Sequence, residues 1–341
     1  HKTYPWGIKS KAPLPRGTVF LKRKKQFLSG RTIISYSGSL LSKLLAAASL
    51  ALTAILNSLW PGAVGQLSSP VLWKQLHTFF EHTPTEVSLV EWNDDLIGFF
   101  NSVPRPQILK ALHHILEKFQ LQFGTEHIAV DLLARTSHLG KPREKSSNSV
   151  KCINVCDLPK VVVASFSASS FTAAGKVYSQ HRGTCIGNQI SPVLSALPVI
   201  LCEQAWQSAH KHMLSNYFLF LRYVDNRLIL ADRAELQSKA MRELCASDFY
   251  EHPVQLETVT DHSWLGFTID ARQRTCYFKI PTQPWQIRAP NSAGSWRLRA
   301  SGYHSRKALI MQNAWPVSIR KVQVQQLKEC YLQAGFPQEV L

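Results

Sequence analysis

Acidic residues are scarce in this chain of 341 residues: 22 Asp and Glu stand against 39 Lys and Arg, a formal net charge of +17. So strong an excess excludes an acidic, self-solvating chain and is the electrostatic footprint of a polyanion binder. Cysteine is also sparse. The seven thiols are odd in number and scattered, which excludes a disulfide framework. Cys152 and Cys156 are the nearest pair, and they have neither a second pair nor a histidine at zinc spacing. Free thiols imply a reducing compartment, so an intracellular location, nuclear or cytoplasmic and not secreted, is expected. No signal peptide is visible, and the chain begins at His1 rather than Met, as expected of a piece of a longer product. No internal repeat is visible, nor any endonuclease signature, RNase H carboxylate set or integrase-like zinc pattern.

What is present is enough apolar sequence, 45% of residues, for one large domain or two to three small ones with a real core. One uncharged run, 44–60 (LLAAASLALTAILNSLW), matches the shortest membrane spans, but Ser49, Thr53, Asn57 and Ser58 interrupt it. A buried core helix is expected there, in a protein without a membrane partner.

The remaining pattern mixes strands and helices, an α+β protein. Phe20–Ile34 reads as strand, turn and strand. Helices are expected over 71–81, 107–123, from the Ser191-Pro192 start to about 212, over 234–246 and across most of 306–334. Strands are expected over 87–95, 161–166, 264–269 and 275–280, with a hairpin over 217–230. Residues 135–151 and 282–305 read as exposed basic connections.

Three segments carry chemistry. In Glu91-Trp92-Asn93-Asp94-Asp95, alternation puts Asp95 on the polar face with Asn93 and Glu91, and Asp94 on the apolar face with Val90 and Trp92. Asp95 is thus the candidate for a wet cleft and a hard cation such as Mg²⁺. In the segment 220–230, Asp225-Asn226 sits at the tip of two apolar runs, where both residues tolerate a tight turn. Between them, Gly183-x-x-x-Gly187-x-x-x-Ser191-Pro192 offers close backbone approach followed by a helix start. Each alone also fits a bland role: an acidic strand end, a hairpin turn, a glycine-containing loop.

Taken in order, an Asp followed by Gly98-Phe99-Phe100, the glycine loop, and Tyr223-Val224-Asp225 resemble the motif series of reverse transcriptases, in a flavour nearer to group II intron, retroplasmid and non-LTR retroelement types than to retroviral ones. The resemblance covers roughly residues 18–335. It implies a right-hand polymerase: fingers 1–85, palm with an antiparallel sheet 86–285 (insertion at about 135–151), and helical thumb 286–341. It implies RNA-templated DNA synthesis on an RNA template with a DNA or RNA primer and dNTPs.

Carried over by position, Asp95 and Asp225 are the catalytic and metal-binding residues, with Asn226 as a further ligand, for two Mg²⁺ (or Mn²⁺) ions. Lys22, Lys24 and Arg31 grip the triphosphate. Phe100 is the steric gate against a 2′-OH, and Gly187, Ser191 and Pro192 shape the nucleotide floor. Trp264-Leu265-Gly266-Phe267 matches the primer grip. Arg288, Arg297, Arg299, Arg306 and Lys307 extend the nucleic-acid groove.

Three positions depart from the pattern: Asn226 replaces the usual second Asp, Ile186 a Gln, and Asn188 a Gly. A catalytically dead, nucleic-acid-binding remnant therefore stays open beside the active enzyme. So does a viral RNA-directed RNA polymerase, against which Phe100 argues.

Overall fold

The computed structural model describes residues 3–9, 11–21, 28, 30–63, 68–143, 147–283 and 286–341. Lys22 and Lys24 lie outside the described residues.

The N-terminal hairpin pairs β1 (Arg16–Leu21) with β2 (Gly30–Ser35) in antiparallel register. Next comes α1 (Ser42–Leu59), whose Leu45, Ala47, Ala48, Ala51, Leu52, Ile55 and Leu56 are wholly buried. It is the one helix among the described residues long and apolar enough to cross a membrane, by length and composition. Its alanine-rich face lets neighbouring backbones come close. It packs in the largest apolar cluster with α4 (Arg105–Phe123), α5 (Leu158–Ser167), α6 (Ser191–His210) and the small sheet β5-β4-β6 (Thr136–Leu139, His127–Asp131, Val150–Asn154).

A second cluster gathers around α2 (Ser69–His82). It joins the hairpin sheet β12-β13-β14 (Ser263–Trp264, Phe267–Asp270, Thr275–Phe278) to the C-terminal helices α8 (Trp296–Asn313) and α9 (Ile319–Gln333). The central antiparallel sheet turns Leu221, Leu228 and Leu230 toward this second cluster, and Phe220, Ile229 and Ala231 toward a third cluster with Trp206, Ala240, Met241 and Leu244. Its order is β11-β3-β10-β9, from Leu256–Thr258, Leu89–Leu96, Asn226–Asp232 and Leu219–Tyr223. The mixed α+β expectation describes this architecture.

Four local expectations are corrected. Residues 161–166 are helical, not a strand, because the buried positions Leu158, Val161, Val162 and Ser165 recur at helical spacing, and Pro159 opens the first turn. The packing of α5 against α1 and α4 overrides the β preference of three valines. The stretch 135–151 is not all loop. Thr136–Leu139 pairs with β4 as an edge strand, which needs backbone hydrogen bonds rather than apolar side chains, and Val150–Lys151 already belong to β6. The connection after residue 282 ends at Ser295, whose hydroxyl accepts from the Leu298 N–H and caps α8. The helix expected over 234–246 is shorter, α7 (Lys239–Leu244), started by the Ser238 hydroxyl at the Met241 N–H.

Candidate functional site

The register of the central sheet sets the site. Asn226 faces Asp95 across β10 and β3, and Leu96 donates its N–H to the Asp225 carbonyl at 2.8 Å. That bond makes Asp95–Asn226 a non-hydrogen-bonded pair, the closer of the two antiparallel arrangements for side chains. On the other flank of β3, Glu257 faces Asp95. One residue away the chemistry changes. Asp94 is buried and ion-paired with fully buried Arg227, Nη2 to Oδ2 at 3.1 Å. Burial pushes the Asp94 carboxyl up, against the pull of Arg227. The faces differ from the alternation expected: Trp92 is partly exposed, Asn93 and Asp94 are both buried, and Asp95 is half-buried on the face that Asn93 and its cross-strand partner Leu228 turn toward the second apolar cluster.

Asp225 sits in the two-residue turn between Tyr223 and Asn226, which pair with each other. Val224, the first turn residue, has φ 58°, an unfavourable conformation for a β-branched side chain. A buried network holds it there. Arg222 donates from Nη1 to the Val224 carbonyl at 2.7 Å. It grips Glu203 of α6 with two further bonds, Nε to Oε1 at 2.6 Å and Nη2 to Oε2 at 2.9 Å. The Tyr250 hydroxyl donates to Glu203 Oε1 at 2.7 Å. Arg222 and Glu203 are fully buried. Burial disfavours the Arg222 charge, yet the Glu203 carboxylate more than restores it and raises the guanidinium above its ordinary value. Burial, and then Glu203, push the Tyr250 hydroxyl up as well. The last contact in the turn is Asn226 Nδ2 donating to Asp225 Oδ1 at 2.9 Å.

A cleft of about 950 Å³ opens before this turn. Asp225, Phe100 of the short helix α3 (Phe99–Ser102), Arg31, Ile186 and Arg182 line it, together with Phe171 and Tyr178 from the hairpin β7–β8 (Ser170–Ala173, Lys176–Ser179). Two glycines shape its walls. At Gly183 (φ 60°) a Cβ would strike the Phe100 carbonyl, which accepts the Thr184 N–H at 2.7 Å. At Gly187 (φ 104°) a Cβ would strike the carbonyl of Ile34, whose N–H bonds the Ile186 carbonyl at 2.7 Å. The glycine loop thus ties the backbone of Phe100 on one side and β2 on the other, which is why only glycine serves at both points. Gly187 contributes this contact rather than a lining side chain. Ser191 is buried at the start of α6 and Pro192 is exposed in its first turn, so both build the helix start behind the cleft.

No protein-family model matches the chain, and no curated protein matches it. Solved structures do. Telomerase from Candida tropicalis with a TWJ fragment of telomeric RNA superposes with TM-score 0.56 at 11% identity, covering 98% of this chain and 56% of that one. The Candida albicans counterpart gives 0.57 at 14%, covering 98% and 57%. Apo telomerase from Candida tropicalis truncated from its C-terminal domain gives 0.51 at 12%, covering 81% and 58%. The fold is reverse-transcriptase-like. The chain spans a little over half the length of the telomerases it matches.

Within this reverse-transcriptase-like fold, the other sequence candidates divide by burial. Trp264 and Phe267 are core residues whose rings pack on Trp73 with centroids 5.0 Å and 4.7 Å away. Leu265 and Gly266 form the turn between β12 and β13 at φ 50° and 85°, half-buried and exposed. Near the C-terminus, Arg306 is used internally, donating to the Tyr331 hydroxyl at 2.5 Å and the Gln286 carbonyl at 2.7 Å. Arg299 donates to the Pro290 carbonyl and lies 4.0 Å over the Trp296 ring. Arg288 braces its own loop through Ser292 and Ala293. Arg297 and Lys307 are exposed, with the Lys307 ammonium 5.7 Å over the Tyr303 ring. Exposure makes Arg297, Lys307 and Arg288 the accessible cations of this set.

Sequence reasoning missed Glu203, Arg222, Tyr250 and the pair Phe171–Tyr178. A lone acid inside the apolar run of α6 was the available signal for Glu203, since a buried carboxylate demands a partner. The Ala-Gly dipeptide at 174–175, between two short alternating runs, was the signal for the β7–β8 hairpin.

Proposed function

We propose that this protein synthesises DNA on an RNA template by two-metal nucleotidyl transfer. One observation carries the reading: Asp225, Phe100 and Arg31, from three segments distant in sequence, line one cleft, and Asp95 stands opposite Asn226 beside it. The donors suit Mg²⁺ or Mn²⁺, because hard oxygens from one or two carboxylates, completed by substrate phosphates, are its usual protein ligands. Asp95 and Asp225 would hold two such ions, with Asn226 adding a neutral oxygen. When bound, the metal ions supply positive charge to the attacking and leaving oxygens of the transfer.

The protein's own residues do the rest. Arg31, with Lys22 or Lys24, neutralises triphosphate charge. Phe100 fills the space a ribose 2′-OH would need, which selects dNTPs. The exposed turn Leu265-Gly266 between Trp264 and Phe267 contacts the primer. Arg288, Arg297 and Lys307 meet the nucleic-acid backbone, while Arg299 and Arg306 shape the segment that presents them. We assign fingers to 1–85, palm to 86–285 and thumb to 286–341. The telomeric RNA fragment bound in two matched telomerases supports RNA binding. The motif flavour favours a retroelement origin, whereas the matched folds are telomerases; both share the proposed chemistry.

The contact from Asn226 Nδ2 to Asp225 Oδ1 favours a second reading, a nucleic-acid-binding remnant of a polymerase, since it engages a proposed metal-binding oxygen with a neutral donor. Extension of a primed RNA template in Mg²⁺ or Mn²⁺, with dNTPs compared with NTPs, decides. The polymerase extends with dNTPs and rejects NTPs, and Phe100→Ala raises NTP use by roughly 10²-fold, as expected when a steric clash of about 3 kcal/mol is relieved. No extension in either metal leaves the remnant. NTP use by the unaltered chain leaves an RNA polymerase.

A further inference from the structure

We propose that Tyr178 is a stacking shelf for the base of a nucleoside triphosphate in the cleft, a contact that rests on the nucleotide-cleft reading above. Tyr178 stands on β8 directly across from Phe171 on β7, and the two rings stack with centroids 5.8 Å apart at 25°. Phe171 is wedged. A Cβ on Gly17 of β1 would meet its ring at 2.7 Å, and on its other sides it packs against Ile34, Tyr36 and Cys185. The hairpin is pinned by the hydroxyl contact between Ser170 and Ser179 at 2.7 Å. Tyr178 is therefore a braced ring with one face covered by Phe171, and it remains 46% exposed, lining the cleft.

The rest of the cleft says what would lie on such a ring. Arg31 and Arg182 bring two cations suited to phosphates, Asp225 an acid, and Phe100 a second apolar wall. An aromatic face in a cleft that also carries cations fits a flat base joined to a polyphosphate better than it fits a peptide or a sugar. Stacking is also the recognition a copying enzyme can use, because every base has a π face and none is selected by it. A hydrogen-bonding side chain at the same place would favour one base over the others.

The test is equilibrium binding of dGTP, and separately of inorganic triphosphate, to the full chain in Mg²⁺ without primer. Tyr178→Ser is expected to weaken dGTP roughly 10-fold and inorganic triphosphate less than about 2-fold, while Tyr178→Phe keeps dGTP within about 3-fold of the unaltered chain. The shelf is overturned if Tyr178→Ser binds dGTP as well as the unaltered chain does, if triphosphate falls in parallel, or if Tyr178→Phe loses as much as Tyr178→Ser. A loss confined to primed RNA, with dGTP unaffected, overturns it in favour of a template contact. An unaltered chain that binds neither dGTP nor triphosphate removes the nucleotide-cleft reading as well, so the two failures are told apart.

Discussion

Asp225→Ala is expected to lower primer extension by at least about 10³-fold while leaving primer–template affinity nearly unchanged. The turn that carries Asp225 is fixed by groups other than its carboxylate: the Leu96 N–H on its carbonyl and Arg222 on the carbonyl of Val224. Removing the carboxylate therefore deletes a charge without dismantling the hairpin. In the function proposed, binding rests on Lys and Arg phosphate contacts, so affinity should fall steeply with salt in the variant as in the parent. Asp95→Ala should behave alike, since it too removes a carboxylate beside this turn while the strand pairing of β3 with β10 and β11 is held by backbone bonds. Asn226→Asp is the informative opposite. It replaces the amide that donates to Asp225 with a second carboxylate facing Asp95. Like charges then crowd the turn in the absence of metal, so the variant should need less Mg²⁺ for half-maximal extension and should lose stability when metal is removed. Titration of extension rate against Mg²⁺, with thermal unfolding in chelator, measures both. Equal extension by Asp225→Ala and the unaltered chain would sink the assignment of this centre.

Local periodicity made part of the site legible. The choice of Asp95 over Asp94 rested on the two-residue period of a strand, which offered one face with Val90 and Trp92 and another with Glu91 and Asn93. The outcome was less simple than that rule. Trp92 is at the exposed limit and Asn93 is buried, while Asp94 goes inside because Arg227 waits there. An ion pair between residues far apart in sequence leaves no periodic trace. The glycines at 183 and 187 were visible as freedom, but what they approach, the carbonyls of Phe100 and Ile34, depends on how three segments meet. The valine run at 161–163 shows the same limit from the other side. Three β-branched residues prefer a strand, and only the packing of α5 against α1 and α4 makes them helical. The order of the motifs carried what no single segment could, since chance rarely sets three such pieces in sequence and then brings residues of all three to one cleft.

Glu203→Ala is expected to cost about 3–5 kcal/mol of folding stability, the largest loss of any single change beneath the site. The reason is what it leaves behind. Arg222 is fully buried, and Glu203 supplies both bidentate contacts to its guanidinium. Without the carboxylate, one bond to the Val224 carbonyl remains for a charge with no access to water, and the Tyr250 hydroxyl loses its acceptor too. Tyr250→Phe removes only the hydroxyl and should cost about 1.5–3 kcal/mol, the range for one hydrogen bond to a charged group. Glu203→Leu combined with Arg222→Met removes both charges and should recover most of the loss, because an apolar pair of similar volume carries no desolvation penalty. Urea unfolding midpoints measure all three. The double variant then separates stability from positioning. It folds, but it has lost the guanidinium that holds the Val224 carbonyl at an unfavourable φ, so Asp225 is no longer held in place. Extension by the double variant should stay at least about 10-fold low and should need more Mg²⁺, as a misplaced carboxylate binds metal less well. A double variant as active as the parent would show the network to be a filler of space. A single Glu203→Ala loss below about 1 kcal/mol would show that Arg222 finds water or another acceptor when its partner goes.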